Sequence, residues 1–248
     1  GGDPGVGKST LLLQLSAALA INSGPVLYVS GEESSQQIKL RAERLGIDGH
    51  GLHVLAETDM ATILHNLDTL SPTVAVIDSI QSVAFSDQPG GPGTLVQVRE
   101  CGLAFQRWAK ASGTPTFITG HVTKEGNLAG PRTLEHMVDV VLYLEGSNLG
   151  SYRLLRGEKN RFGATHEVGV FEMRDKGLVE VLNPSEVALA SRDRNAVGSV
   201  VVPVMEGTRP LLVEIQALTT PSSLPTPRRV ANGVDMSRLL MVIAVLVK

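Results

Sequence analysis

Short apolar runs and longer amphipathic stretches alternate over the first half of the chain. Leu11-Leu12-Leu13-Gln14-Leu15-Ser16-Ala17-Ala18-Leu19 predicts a helix, and Pro25-Val26-Leu27-Tyr28-Val29-Ser30 a strand buried on both faces. Ser34 to Gln37 resembles a capping box, in which a serine hydroxyl and a glutamine amide satisfy backbone N–H groups at a helix start. Ile38, Leu40, Ala42 and Leu45 follow, and Gly46 stops that helix. Leu52-His53-Val54-Leu55 predicts a short strand, and Asp59 caps a helix carrying Met60, Ile63, Leu64 and Leu67. Thr73-Val74-Ala75-Val76-Ile77-Asp78 predicts another buried strand, closed by an acid. Residues 82–93 are rich in Gly and Pro and predict a loop, residues 95–111 a long helix, and residues 115–119 a strand running into the polar loop 120–132. Alternation at this spacing predicts an α/β fold with a mainly parallel sheet covered on both faces.

The pattern changes at Val138. Residues 138–144, 152–156, 168–173 and 178–181 read as strands without intervening helices, which predicts antiparallel hairpins extending the sheet at one edge. Asn183-Pro184-Ser185 is the expected boundary, dividing the chain into domains 1–183 and 184–248. The second opens with a hairpin of residues 200–205 and 211–215, followed by a loop containing Pro221, Pro225 and Pro227. The apolar run Leu239 to Val247 reads as a helix cut through, and a phosphate loop normally follows a strand, whereas only Gly1 precedes this one. The chain is therefore expected to be a fragment.

That phosphate loop is the strongest chemical signal. Gly2-Asp3-Pro4-Gly5-Val6-Gly7-Lys8-Ser9, with Thr10 behind it, matches G-x-x-x-x-G-K-[ST] in full. Its glycines let backbone N–H groups turn toward phosphate oxygens, Lys8 reaches the β- and γ-phosphates, and the Ser9 hydroxyl is placed to hold Mg²⁺. The helix that follows points its positive end at the anion. Phosphoryl transfer also needs a metal-side acid, a group that orients water and a cation for the developing charge. Asp78, after an apolar strand, has the pattern of a Walker B acid. Glu32 and Glu33 lie at the tip of the neighbouring strand, where alternation lets only one face the γ-phosphate; Glu32 is the expected one. His121 follows a central strand and is placed to sense that phosphate. Lys159 and Arg161, two residues apart in Lys159-Asn160-Arg161-Phe162-Gly163, would share a face of an extended segment and could meet a neighbouring subunit's γ-phosphate in a ring.

Composition narrows the setting more than the chemistry. The 248 residues are 42% hydrophobic, with net charge −3, so any nucleic-acid contact must use a local patch rather than global charge. The one cysteine, Cys101, excludes an intramolecular disulfide framework, and no C-x-x-C pair offers zinc a site. The terminal apolar run is about half of the roughly 20 residues a membrane span needs, so a cytoplasmic protein with no membrane partner is expected.

Taken in order, Gly1-Gly2-Asp3-Pro4-Gly5, Ser30-Gly31-Glu32-Glu33-Ser34, Asp78-Ser79-Ile80-Gln81, Gly120-His121-Val122-Thr123-Lys124 and Lys159-Asn160-Arg161-Phe162-Gly163 resemble the motifs of the bacterial RadA (Sms) family. Residues 206–217 are similar to the start of that family's Lon-protease-like domain. The resemblance implies a RecA-like P-loop ATPase core followed by the beginning of that α+β domain, used as a scaffold and not as a protease. It implies a homohexameric ring that hydrolyses ATP with Mg²⁺, translocates on single-stranded DNA and drives branch migration of recombination intermediates with the RecA recombinase. Carried over, Gly7, Lys8, Ser9 and Thr10 bind nucleotide and metal, Glu32 activates water, Asp78 is the Walker B acid, and His121 senses the γ-phosphate. Lys159 and Arg161 act in trans or couple nucleotide to DNA, and loops 82–93 and 122–132, with Lys124 and Arg132, face DNA in the channel. The family's zinc finger is absent from these residues, so zinc is not expected here. A KaiC-like hexameric ATPase acting on protein is the alternative, and a nucleotide-gated binding module with negligible turnover a third.

Overall fold

The computed structural model of the chain describes residues 1–120, 134–146, 152–189, 192–193, 195–206, 209–221 and 228–247. Its first half alternates as α1 (Lys8–Ser23), β1 (Val26–Ser30), α2 (Ser35–Leu45), β2 (Leu52–Ala56), α3 (Met60–Leu70), β3 (Val74–Asp78), α4 (Leu95–Ser112) and β4 (Thr116–Ile118). The four strands are parallel, in the order β2-β1-β3-β4. Side-chain alternation divides the core. Val26, Tyr28, Val74 and Val76 pack with Leu13 of α1 and Ile38 of α2. Leu27, Val29, Ala75 and Ile77 face α3 and α4, where Ile63, Leu67, Val98 and Phe105 cover them. Every residue of β1 and β3 is buried, and each large apolar side chain so covered contributes about 1.5–3 kcal/mol.

Local chemistry sets the helix ends. The Ser34 hydroxyl accepts from the Gln37 N–H, and the Gln37 side chain accepts from the Ser34 N–H at 2.9 Å, a complete capping box. Asp59 accepts from the Thr62 N–H at 2.9 Å, and those hydrogen bonds hold its carboxyl below the usual carboxylate range. Gly46 takes the left-handed φ of 71° that ends α2.

Four further strands, β5 (Val140–Gly146), β6 (Tyr152–Asn160), β7 (Val168–Arg174) and β8 (Gly177–Glu180), form an antiparallel sheet in the order β5-β6-β7-β8. The antiparallel hairpins expected from residue 138 onward are present, and among the described residues they form a sheet of their own. The residues leading into the phosphate loop already hydrogen-bond to β5: the Gly1 nitrogen donates to Leu142 O at 2.6 Å, and Leu144 N donates to Gly1 O at 2.9 Å. β6 also runs past Arg156 to Asn160, accommodated by a bulge between Val141 and Leu142. One side chain docks α1 on this sheet. Gln14 accepts from Leu178 N at 2.9 Å and donates to Leu178 O at 3.2 Å, pairing the backbone of β8 as a strand would.

Beyond β8, α5 (Pro184–Leu189) begins at the proline expected only to break structure. A first helical position has no intrahelical partner for an N–H, so proline is tolerated there. β9 (Ser199–Glu206) and β10 (Arg209–Gln216) pair as a two-stranded ribbon, and α6 (Met236–Leu246) is capped by Asp235, which accepts from Arg238 N at 2.8 Å. The chain divides into two compact units, one of residues 1–191 with 203–213 and one of residues 192–202 with 214–248. Among the described residues no helix is long and apolar enough to cross a membrane.

The loop after β3 is pinned by one buried amide. Gln97 of α4 has no exposed surface; its Oε1 accepts from Phe85 N at 2.9 Å, and Nε2 donates toward the carbonyls of Phe85, Gln88 and Gly90, each at 3.1 Å. Leucine at this position fits the volume and satisfies none of those groups. Gln97→Leu is expected to lower stability by about 2 kcal/mol in denaturant unfolding and to open residues 83–93 to limited proteolysis. An unchanged midpoint and cleavage pattern would show that the loop holds itself.

Candidate active site

The glycine loop, the turn after β1 and the end of β3 converge at the C-terminal edge of the parallel sheet, where α/β proteins place their ligands. In the loop, Gly7 has φ 115°, a region closed to other residues. A Cβ there would also come within 2.6 Å of the Met173 methyl, and one at Gly2 would collide with the Leu144 carbonyl oxygen. The antiparallel sheet is thus the floor of the loop. Val6 is buried against Leu144 and Leu178, and its carbonyl accepts from the Arg153 Nε at 3.0 Å.

Lys8 opens α1 with 8% of its surface exposed. Its Nζ donates to the carbonyls of Gly2 and Asp3, both at 2.9 Å. Burial lowers its pKa, while the charges of Asp78, Glu32 and Asp3 work against that shift. Ser9 and Thr10 are half-buried in the same first turn.

Asp78 ends β3 level with Ser30 of β1. Tyr28 donates to its Oδ2 at 2.5 Å and Thr119 to its Oδ1 at 2.7 Å, so the carboxylate is held on both sides. Burial, and then the adjacent Asp78 charge, push the Tyr28 hydroxyl far above its usual pKa. The two glutamates at the tip of β1 separate. Glu32 accepts from the Ser79 hydroxyl at 2.5 Å, directly beside Asp78, whereas Glu33 pairs with Arg41 of α2. The Asp78–Ser79 peptide is cis.

Lys8, Asp78 and Glu32 are therefore close enough for their charges to act on one another, and Ser9 follows Lys8 in the first turn of α1. Lys159 and Arg161 are used elsewhere in the same chain. Lys159, in β6, donates to the carbonyls of Glu135 at 2.5 Å and Val138 at 2.7 Å. Arg161 lies past the strand end and pairs with Asp139 at 2.9 Å, each about half exposed, and Phe162 beside it is 82% exposed. His121, Lys124 and Arg132 lie outside the described residues. Sequence reasoning missed Tyr28, Thr119, Ser79 and Arg153. For Tyr28 a signal existed: it lies two residues before Ser30, hence on the same face of β1, and Ser30 lies opposite Asp78. Nothing in the pattern around Arg153 points to a loop 147 residues away.

A family model described as the AAA domain matches residues 1–127, just over half of the chain. The chain belongs to the AAA domain family. Over its full 248 residues this AAA-family chain is 57% identical to the DNA repair protein RadA of Bacillus subtilis strain 168, and it spans 54% of that protein's length. Two solved structures share the fold at low identity. The KaiC-like protein PH0186 of Pyrococcus horikoshii OT3 superposes with a TM-score of 0.60 at 21% identity, covering 73% of this chain and 86% of its own. A second, the ATPase domain of another protein, gives 0.61 at 13% identity, covering 73% and 82%. The α/β fold with a RecA-like core expected from the sequence is thereby established.

The Tyr28 hydroxyl gives this AAA domain a measurable pH signature. Below pH of about 10, tyrosine is protonated in the folded and unfolded chain alike, and the Tyr28 contribution is constant. Above it the unfolded side chain ionises while folded Tyr28 keeps its proton, so the unfolded state binds fewer protons and stability falls as pH rises. Tyr28→Phe is expected to cost about 1–2 kcal/mol at neutral pH by taking a donor from Asp78. Its deficit relative to wild type should shrink above pH of about 10. Parallel stability curves from pH 8 to 11 would remove Tyr28 from the titration.

Proposed function

We propose that this chain is the ATP-hydrolysing core of a DNA repair motor, acting on single-stranded DNA and branched recombination intermediates. The observation that supports it most is the meeting of Lys8, Asp78 and Glu32 at a complete phosphate loop, in a chain 57% identical to a RadA named for DNA repair. The donor set suits Mg²⁺: the Ser9 hydroxyl would ligate it, and the Asp78 carboxylate, oriented by Tyr28 and Thr119, would hold its water shell. When bound, the metal would spread the negative charge of the β- and γ-phosphates.

The chain's own groups do the rest. Backbone N–H groups of residues 5–9 cradle phosphate oxygens, and Lys8 moves its ammonium from the Gly2 and Asp3 carbonyls to the β- and γ-phosphates. Glu32, aimed by the Ser79 hydroxyl, accepts a proton from the attacking water and orients it in line with the leaving oxygen. Arg161 exchanges Asp139 for the γ-phosphate of a neighbouring subunit in a homohexameric ring, and Lys159 braces residues 135–138 behind it. His121 senses the γ-phosphate, and Lys124 and Arg132, on channel-facing loops, contact DNA. In this reading residues 1–183 are the motor and residues 184–248 begin a Lon-like scaffold without protease activity, in a cytoplasmic protein that works with the RecA recombinase.

ATP turnover by the full-length protein, with and without single-stranded DNA, tests the reading. Stimulation by DNA is expected, with Lys8→Ala abolishing turnover and Arg161→Ala lowering the stimulated rate by roughly 10³-fold or more. Turnover indifferent to DNA would favour a KaiC-like ATPase acting on protein, whose fold this chain shares.

A further inference from the structure

The outer face of α4 carries a charge pattern that the site around Lys8 does not use. Successive helical residues turn by about 100°, so Val96, Arg99, Leu103, Arg107 and Lys110 fall within about 80° of one another, in a stripe about 21 Å long. Arg99, Arg107 and Lys110 are exposed and Leu103 is half-buried, while Val96 and its neighbour Leu95 leave 50% and 55% of their surfaces uncovered. None of the three cations has an ion-pair partner among the described residues. The helix itself offers them none. An acid one turn away would stand three or four positions off, and those positions hold Leu95, Val96, Gly102 and Leu103 around Arg99, and Leu103, Ala104, Lys110 and Ala111 around Arg107. Arg107 and Lys110 are instead three apart and repel one another.

The stripe has a rigid backing. Val98, Cys101 and Phe105, on the opposite side of α4, are fully buried in the core. Gln97 holds the loop before the helix, Gln106 donates to the Met137 carbonyl, and Trp108 donates to Asp68 of α3 at 2.8 Å. The exposed side chains therefore project from a backbone that need not reorganise on contact. Three unpaired cations also stand out on a chain of net charge −3, so an acidic ligand is drawn to this face rather than to the surface at large. Phosphates would satisfy the cations but make no use of Leu95, Val96 and Leu103. A nucleic-acid strand would call for aromatic side chains under its bases, and Trp108, the aromatic residue beside the stripe, is engaged with α3. An acidic protein segment with interspersed apolar side chains uses both kinds of residue. We propose that this face of α4 is a docking site for such a segment of a protein partner. Its carboxylates meet Arg99, Arg107 and Lys110, and its apolar side chains cover Leu95, Val96 and Leu103. Docking of this kind needs no nucleotide and stands independently of the phosphate loop.

Fluorescence anisotropy of the full-length protein with a labelled peptide of alternating aspartates and leucines tests the surface, with a polyaspartate peptide and labelled oligothymidylate as comparisons. The alternating peptide is expected to bind more tightly than polyaspartate, and less tightly as salt is raised. Arg99→Glu combined with Arg107→Glu should weaken it about tenfold or more, and Leu95→Ser combined with Val96→Ser about threefold, with oligothymidylate binding unchanged by either pair. Lys110→Glu, a single change near the exposed end of the helix, should act in the same direction and serves if a double variant fails to fold. A wild-type protein that ignored the peptide, or variants that bound it as well as wild type, would overturn the docking site. Equal binding of polyaspartate would reduce it to a patch of charge. Loss of oligothymidylate binding in the charge-reversed protein would make the stripe a nucleic-acid surface, and a change of oligomeric state in sedimentation would make it a contact between copies of this chain; either result overturns the proposal.

Discussion

Burying an ammonium costs several kcal/mol unless the surroundings replace its water, and Lys8, with 8% of its surface exposed, sits where that replacement is made. Two loop carbonyls accept its protons, and Asp78, Glu32 and Asp3 supply opposing charge. The charges of the three acids oppose the downward shift that burial imposes on the lysine. The parallel sheet fixes the relation by ending β1 and β3 in register, so that the carboxylates arrive from adjacent strands on the side where α1 begins.

The second sheet gives the loop its rigidity. A glycine-rich segment has little side-chain packing of its own, and its conformations are many. Here Val6, Gly7 and Gln14 are each matched to a partner in the antiparallel strands: Leu144 and Leu178, Met173, and the Leu178 backbone. Arg153 holds the Val6 carbonyl turned toward the sheet. A loop supported this way presents its N–H groups without first being ordered by the ligand, and the entropy of ordering it is met during folding.

Legibility in the sequence followed range. Elements whose causes lie within a turn or two were readable: the Ser34–Gln37 box, the Asp59 cap, the Gly46 stop, and the apolar runs that became β1 and β3. The phosphate loop was readable for the same reason, since its chemistry needs eight consecutive positions. The hairpin strands and their antiparallel pairing were recognised, but not the backbone against which β5 would lie. Alternation says that residues 140–146 form a strand and is silent about which backbone pairs with its edge. β6 ran beyond its predicted end because its length was decided by the partner strand and not by its own apolar residues. Gln97, a polar residue inside a helix, carried no sign that it would hold the loop before it.

The sequence by itself determined the chemistry available, a triphosphate cradle with a lysine, a serine hydroxyl and strand-end acids, and the α/β alternation that brings them near one another. Local propensity and short-range pattern are enough for that. Only the tertiary structure decided which glutamate stands beside Asp78, which hydroxyls aim that carboxylate, what the loop rests on, and that Lys159 and Arg161 are engaged with residues 135–139 of their own chain. Those choices depend on contacts between residues far apart in sequence, 164 positions in the case of Gln14 and Leu178. Such contacts are selected by the packing of whole layers, a condition that no short stretch of chain contains.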